Sequence, residues 1–430
     1  MSVAIDVALV LLSLTLSMQS LCTLYMMMYC WDQPEAQQRA RGPSSLADPR
    51  LSFTVLLPAR HEEEVIQQTI RQVVHANYPP HLLQVLVICS ADDHGTIEEA
   101  LTRIELLQDE GVDIVDVVIF DDTPVNKPHA LNHALRFAQG DVVTIFDAED
   151  DMHPDLFDVV NTVMTDEDVP VVQAGVQLMD YQSSWYSALN VLEYFFWFKS
   201  RLHFHAKYGA IPLGGNTVFF DRQMLLGLGG WDENNLTEDA DIGLRISQAG
   251  ERVRVLYDDL YVTREETPPT LEAFIKQRTR WSQGFMQTLA KGTWRGMPTR
   301  TQRWLAFYTL AFPNVQALLG IYVPVSLLMM FAVKAPVGVA LVSYLPVVLL
   351  AAHFLLHVIG LYEFTEAHGL KASPGMVLRL AVAWFPYQLV LAYAALRAVR
   401  RQARGVNNWE KTAHIGQHRD TEAGVLAGAR

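Results

Sequence analysis

The sequence predicts an α/β domain, a parallel sheet wrapped by helices, set between α-helices that cross a membrane. Three observations predict it. From Leu51 onward short apolar runs alternate with helical stretches, the pattern of strands joined by crossover helices. Those runs end in polar and acidic residues, and in an open α/β sheet ligands bind just outside the carboxyl ends of strands. Half of the 430 residues are hydrophobic and the mean hydropathy is +0.12, which points to membrane segments mixed with a polar domain. The net charge of −14 excludes a nucleic-acid surface, because phosphate backbones demand basic patches. Cys22, Cys30 and Cys89 are too few and too scattered for a disulfide framework or a cysteine metal site.

Residues 3–29 are apolar apart from Asp6 and a few hydroxyl and amide groups, long enough to cross a bilayer. The segment is too long for a signal peptide and has no basic leading region or Ala-x-Ala site. Arg39, Arg41 and Arg50 follow it and no lysine or arginine precedes it, so residue 32 onward is expected in the cytoplasm. Residues 31–49 read as a polar linker. Strands are expected over 53–57, 84–89, 114–120, 142–146 and 171–177, and helices over 62–76, 96–107, 128–138 and 154–164.

The run over 142–146 ends in Asp147-Ala148-Glu149-Asp150, three carboxylates in four residues. Such a cluster at a strand end can hold a hard cation, since Mg²⁺ takes one or two carboxylates plus substrate phosphates. The alternative is an exposed acidic turn. Other strand ends are polar too: Pro58-Ala59-Arg60-His61-Glu62 after the first and Asp92-Asp93 after the second, with Lys127 at a helix start after the third. Helix capping explains Glu62 and Asp93 singly, and solvation explains Lys127. Four such ends on one sheet edge are what a nucleotide pocket requires, and a lysine at a helix start attracts phosphate.

Residues 183–204 are crowded with aromatics beside Lys199 and Arg201, a core helix or one lying at a membrane interface, the latter favoured by the anchor nearby. Gly214-Gly215-Asn216 reads as a turn that permits close backbone approach to a ligand. In Asn235-Leu236-Thr237-Glu238-Asp239, Asn235 or Thr237 caps a helix with Asp239 in its first turn, there to stabilise the dipole or to act as a base. The helix expected over 270–291 carries Gln277 and Arg280 on one face, with Trp281 four residues from Gln277. There a guanidinium could bind diphosphate oxygens and an indole could carry a sugar ring, or the arginine could simply be solvated.

Residues 304–333, 337–361 and 376–396 are each long enough to span, with Pro313, Pro324, Pro346 and Pro386 inside or beside them. His353, His357 and Arg379 place polar groups there, lining a path or bonding between helices. One span before the domain and three after it would put the C-terminus outside, yet Arg397, Arg400, Arg401 and Arg404 favour the inside. A re-entrant segment would reconcile the two, its identity left open.

Taken together these motifs resemble the membrane-bound family 2 glycosyltransferases, the group of cellulose, chitin and hyaluronan synthases, over residues 51–300. Pro58-Ala59-Arg60-His61-Glu62, Asp92-Asp93 and Lys127 match that family's strand ends, and Asp147-Ala148-Glu149 occupies its D-x-D position. Gly214-Gly215-Asn216 matches its acceptor-side loop, Thr237-Glu238-Asp239 its T-E-D motif, and Gln277, Arg280 and Trp281 its Q-x-x-R-W motif. Glu149 stands where aspartate is usual, so either Glu149 or Asp150 reaches the metal.

The resemblance implies a GT-A, Rossmann-like domain and an inverting transfer from a nucleotide-diphosphate sugar, with a UDP-sugar expected. It implies Mg²⁺ or Mn²⁺ on Asp147 and Glu149, and Asp239 as the base, with Thr237 and Glu238 beside it. The donor would be held by Pro58, Ala59, Arg60, Glu62, Asp92, Asp93, Lys127, Asp147, Gln277, Arg278 and Arg280. The acceptor, a glycan or a lipid, would be held by Gly215, Asn216 and Trp281. The expected organisation is a membrane helix over 1–31, a cytoplasmic catalytic domain over 32–300 with interface helices at 183–204 and 270–291, membrane helices over 301–401 and a polar tail over 402–430. Membrane lipids, of the plasma membrane, are the expected surroundings. Three functions follow: a processive synthase of a β-linked polysaccharide, an enzyme adding one sugar to a lipid or other membrane acceptor, and an inactive sugar-nucleotide-binding scaffold.

Overall fold

The computed structural model describes residues 3–332 and 336–410. Residues 411–430 of the expected polar tail, and the last residue of the span expected over 304–333, lie outside the described residues. A seven-stranded sheet forms the centre. In chain order its strands are β1 (Phe53–Pro58), β2 (Leu83–Ser90), β3 (Val115–Phe120), β4 (Val142–Ile145), β5 (Val171–Ala174), β7 (Val218–Asp221) and β8 (Val253–Leu256). A separate pair is made by β6 (Val176–Leu178) and β9 (Thr263–Glu265).

Strand order in the large sheet is β3-β2-β1-β4-β7-β5-β8. β1 and β4 are neighbours whose following connections leave in opposite directions, so a crevice opens beyond their carboxyl ends. β1 and β2 are buried along nearly their whole length, and their unbroken apolar runs are what a sheet covered on both faces demands. One face is covered by α3 (Ile66–Val74), α4 (His94–Asp109) and α6 (Leu156–Glu167), which surround Phe53, Phe157 and Phe219. The other is covered by α5 (Lys127–Leu135), α7 (Ser187–Phe196), α9 (Arg222–Gly227) and α10 (Glu238–Ala249).

The sheet is mixed rather than parallel throughout, because β7 runs antiparallel to both β4 and β5. Its reversed direction matters: the start of β7 lies beside the end of β4, with Thr217 N–H donating to Ile145 O at 2.7 Å. The strand expected over 171–177 is broken at Gly175. A Cβ there would come within 2.8 Å of the Tyr257 ring, and at this close approach the chain leaves the main sheet to pair with β9.

Helices α1 (Val3–Asp32), α12 (Arg300–Ala332), α13 (Val337–Ala367) and α14 (Pro374–Ala403) are long and apolar enough to cross a membrane. A short α2 (Pro34–Ala40) follows the first. The aromatic stripe becomes α7, a π-helical turn (Trp197–Arg201) and α8 (Leu202–Tyr208). It is buried in protein rather than laid along a surface: Leu189, Leu192, Phe195 and Phe196 are all in the core, and Phe195 and Phe196 meet Phe364 and His357 of α13. Its basic residues are tied in as well. Lys199 pairs with Glu363 at 2.9 Å, and the Arg201 guanidinium lies between the rings of Trp197 and Phe312. The helix expected over 270–291 is α11 (Leu271–Lys291), begun by Thr270, whose hydroxyl accepts from Ala273 N–H.

Candidate active site

Beyond the ends of β1 and β4 lies a cavity of about 480 Å³, the size of a small-molecule site. Its walls include Pro58, Ala59, Arg60 and Glu62 after β1, and Asp147 and Glu149 after β4. They also include Lys127 at the start of α5, Gly215 and Asn216 before β7, Thr237, Glu238 and Asp239 at the start of α10, and Gln277, Arg280 and Trp281 on α11. Residues spread over more than two hundred positions thus face one space.

Lys127 is the pivot. Its ammonium bonds the Asp147 carboxylate and donates to Gly215 O at 3.0 Å, joining the ends of β4 and β7. Burial opposes its charge, but Asp147 and Glu238 beside it outweigh that and push its pKa up. Asn126, whose side chain accepts from His129 N–H at 3.0 Å, caps the helix that carries it. At Gly215 a Cβ would lie 3.2 Å from Asp239 Oδ2 and 3.8 Å from Lys127 Nζ, so the glycine leaves room between the acid and the lysine.

Asp150 is committed elsewhere. It accepts from Asp147 N–H at 2.8 Å and from Asn216 Nδ2 at 2.9 and 2.8 Å, fixing both the acidic turn and the glycine loop. Burial and the neighbouring Glu265, Asp147 and Glu149 carboxylates push its pKa well up. It is not part of the cavity wall, whereas Asp147 and Glu149 are.

Of the two expected caps it is Thr237 that occupies the N-cap of α10, without a side-chain cap bond, and Asn235 accepts from Thr237 N–H at 2.9 Å. Glu238 and Asp239 both have raised pKa values because burial disfavours their charge, Glu238 to about 7 with Asp239 adding to the effect. Arg280 and Lys127 hold Asp239 back from a larger rise. A carboxylate poised upward in this way is suited to take a proton.

α11 supplies the opposite wall, and its two central arginines part company. Arg278 pairs with Glu193 at 2.6 Å, bonds Asn190, reaches Tyr387 OH at 3.3 Å and stacks on Trp281, so its charge is spent on joining α7, α11 and α14. It lines the cavity beside Gln277 and Arg280 all the same. Arg280 makes no ion pair among the described residues, and its Nε is buried without a partner. Its guanidinium lies 4.4 Å from the Trp409 ring centroid. Asp92 and Asp93 also stand apart from the cavity wall. Asp93 caps α4 and accepts from His61 N–H at 2.7 Å, and exposed Asp92 lies 3.5 Å from Arg60.

Four participants were not singled out from the sequence. Gln173 spans the glycine loop, accepting from Gly214 N–H at 2.6 Å and donating to Asn216 O at 3.2 Å; a glutamine inside an apolar strand was its visible signal. Glu265 bonds Asn216 and lines the cavity. Gly284 lets α11 touch the start of α10, and Trp409 lies in the segment after α14, which Gln283 holds through Val406 O at 2.8 Å.

Residues 49–284 match the family model described as "Glycosyltransferase like family 2". The chain belongs to that family. This family 2 glycosyltransferase is 27% identical over 237 residues to a beta-monoglucosyldiacylglycerol synthase of Nostoc sp., covering 54% of this chain and 49% of that protein. It is also 21% identical over 371 residues to a poly-beta-1,6-N-acetyl-D-glucosamine synthase of Staphylococcus epidermidis, covering 83% and 86%. The match thus spans about half of the first relative and most of the second. Among solved structures, a mannosyltransferase of Pyrobaculum calidifontis in complex with GDP-Man and Mn²⁺ aligns over 91% of this chain and 99% of its own, with 21% identity and TM-score 0.53. That likeness is one of fold, and the fold is GT-A.

Proposed function

We propose that this enzyme carries out an inverting, metal-dependent transfer from a nucleotide-diphosphate sugar, a UDP-sugar in the first instance, to a growing β-linked polysaccharide. The observation that carries the reading is the single cavity that joins Asp147, Glu149, Lys127, Asp239 and Arg280 and continues between the apolar helices past Phe312, Gln316, His353, Trp384 and Gln388. Aromatic faces and amide side chains suit a hydroxyl-rich chain. The catalytic domain is placed on the cytoplasmic side of the plasma membrane, where nucleotide sugars are made.

Asp147 and Glu149 offer two carboxylates, the number that Mg²⁺ or Mn²⁺ takes when phosphate oxygens complete its shell, and the residues present therefore fit such an ion. A bound cation would neutralise charge on the diphosphate. Arg280 and Lys127 stabilise the same developing charge as the glycosidic bond to the diphosphate breaks. Asp239 accepts the proton of the acceptor hydroxyl while that oxygen attacks the opposite face of the sugar, so one displacement inverts the anomeric centre. Glu238 keeps the pocket electrostatically balanced against Lys127 and Arg280. Pro58, Ala59, Arg60 and Glu62 form the nucleotide end, and Trp281, with Tyr194 at 6.2 Å between ring centroids, forms a platform for the acceptor.

A second reading, addition of one sugar to a lipid acceptor, is favoured by the apolar walls of the same cavity at Met27, Leu319, Leu350 and Leu391 and by the name of the Nostoc relative. Purified protein given a panel of nucleotide sugars with Mg²⁺ or Mn²⁺ separates the two. Products of many lengths support the polymer, a single addition supports the lipid acceptor, and bound donor without turnover overturns both.

A further inference from the structure

Histidines four residues apart on a helix project from one face, the spacing at which two imidazoles reach one metal ion. His129 and His133 stand so on α5, and Phe120 packs on both rings, with centroids 5.3 and 5.9 Å away. Asp122, in the connection between β3 and α5, completes the group. One ligand atom from each of the three residues lies within 4.8 Å of the other two. Asp122, His129 and His133 are outside the wall of the catalytic cavity.

His129 is buried between two carboxylates. Its Nδ1 lies 2.9 Å from Glu233 Oε2 and its Nε2 2.9 Å from Asp122 Oδ1. Glu233 is itself fixed, because Asn132 Nδ2 donates to its Oε1 at 2.9 Å. With Nδ1–H given to Glu233, the Nε2 lone pair of a neutral ring points at another acceptor, so a positive species must lie between the two. In metal-free protein that species is a proton. An ion pair of this kind accounts for His129 but not for His133, whose Nδ1 is buried, makes no hydrogen bond among the described residues and lies 4.0 Å from Asp122 Oδ1. A metal ion would use both rings.

We propose that His129 Nε2, His133 Nδ1 and the Asp122 carboxylate form a second metal site, for a borderline divalent cation of the Zn²⁺ class. Nitrogen and oxygen ligands of a tetrahedral zinc stand about 3.3 Å from one another. The separations of 2.9 and 4.0 Å from Asp122 to the two rings bracket that spacing. Asp122 is 57% exposed, so its carboxylate has room to move between the rings and water can take the fourth position. Glu233 is then the carboxylate behind the histidine, which orients a metal-bound imidazole and strengthens it as a ligand. Imidazole nitrogen sets this site apart from the all-oxygen pair of Asp147 and Glu149, which suits Mg²⁺ or Mn²⁺. The ion clamps the loop after β3 to α5, two residues beyond Lys127 at the start of that helix. The inference is independent of the proposed donor and acceptor.

The test uses the full, untagged chain in detergent micelles, stripped with a chelator and carrying Asp147→Asn so that the carboxylate site after β4 is disabled. Co²⁺ is titrated as a spectroscopic probe. One equivalent is expected to give the visible absorption of a four-coordinate ion, Zn²⁺ to displace it, and Zn²⁺ to raise the melting temperature. His133→Gln, whose Nδ1 has no bond to lose, should stay folded and show neither effect. Asp122→Asn, at an exposed position, should weaken binding, and Glu233→Gln should lower the affinity about 10- to 100-fold. Absence of the absorption band before His133 is changed overturns the proposal. So does a band that persists at unchanged affinity in His133→Gln, which would mark an adventitious ion elsewhere on the chain.

Discussion

Gly284 sits where α11 crosses the start of α10, and adding one methyl group there tests whether the two walls of the site are held in register. In Gly284→Ala the new Cβ would lie 2.5 Å from Thr237 Oγ1 and 2.6 Å from both Thr237 Cγ2 and its backbone nitrogen, where ordinary contact begins at 3.4 Å. Backbone cannot rotate aside, so α11 must withdraw from α10 by about 0.8 Å. That shift separates Arg280 and Trp281 from Asp239, and a misplacement of about 1 Å costs roughly 10²-fold in rate. Overpacking of this kind costs about 1 to 3 kcal/mol of stability, which leaves a domain of this size folded. The assay is release of nucleotide diphosphate under saturating donor, with thermal unfolding and donor affinity measured on the same preparation. A loss of about 10²-fold in kcat with a folded protein is expected. A folded variant that keeps its kcat within threefold would refute the claim that α10 and α11 must meet this closely.

Asp239→Asn should abolish transfer while leaving donor affinity nearly intact; equal loss of both, by titration calorimetry with the nucleotide sugar, would count against its role as base. The two arginines of α11 should separate cleanly. Arg280→Ala should raise donor KM and lower kcat at little cost in melting temperature, whereas Arg278→Met leaves Glu193 without its partner and should cost about 3 to 5 kcal/mol of stability. For pH, burial disfavours charge on His129, but Glu233 and Asp122, each 2.9 Å from a ring nitrogen, raise its pKa overall. Its contribution to stability is therefore complete below its ordinary value and fades as pH rises through the raised one. The melting difference between the parent and His129→Gln should shrink across that window, and a difference that grows with pH would contradict the pairing.

Strands β1, β2 and β4 were legible because strands buried on both faces are written as continuous apolar runs, and their polar ends marked the crevice before any geometry was known. The direction of β7 was not, since the apolar run Val218-Phe219-Phe220 reads the same whichever way a strand runs. The roles of Glu149 and Asp150 could not be separated by spacing alone; only the bonds from Asp147 N–H and Asn216 show that Asp150 shapes the turn. Arg278 and Arg280 lie two residues apart and so project on different sides of α11, a distinction available from helical geometry once their neighbours are known. Gly284 carried no local signal, because its reason lies in Thr237 on another helix.

The claim on which the rest depends is that carboxylates from two separate elements, Asp147 and Glu149 after β4 and Asp239 at the start of α10, serve a single activated sugar. Electron paramagnetic resonance of Mn²⁺ with the protein and a nucleoside diphosphate tests it most directly. The account predicts a bound ion that is lost in Asp147→Asn, weakened in Glu149→Gln and retained in Asp239→Asn, with transfer absent from the last. Tight Mn²⁺ binding that survives Asp147→Asn, or an Asp239→Asn variant that still transfers sugar, would contradict it.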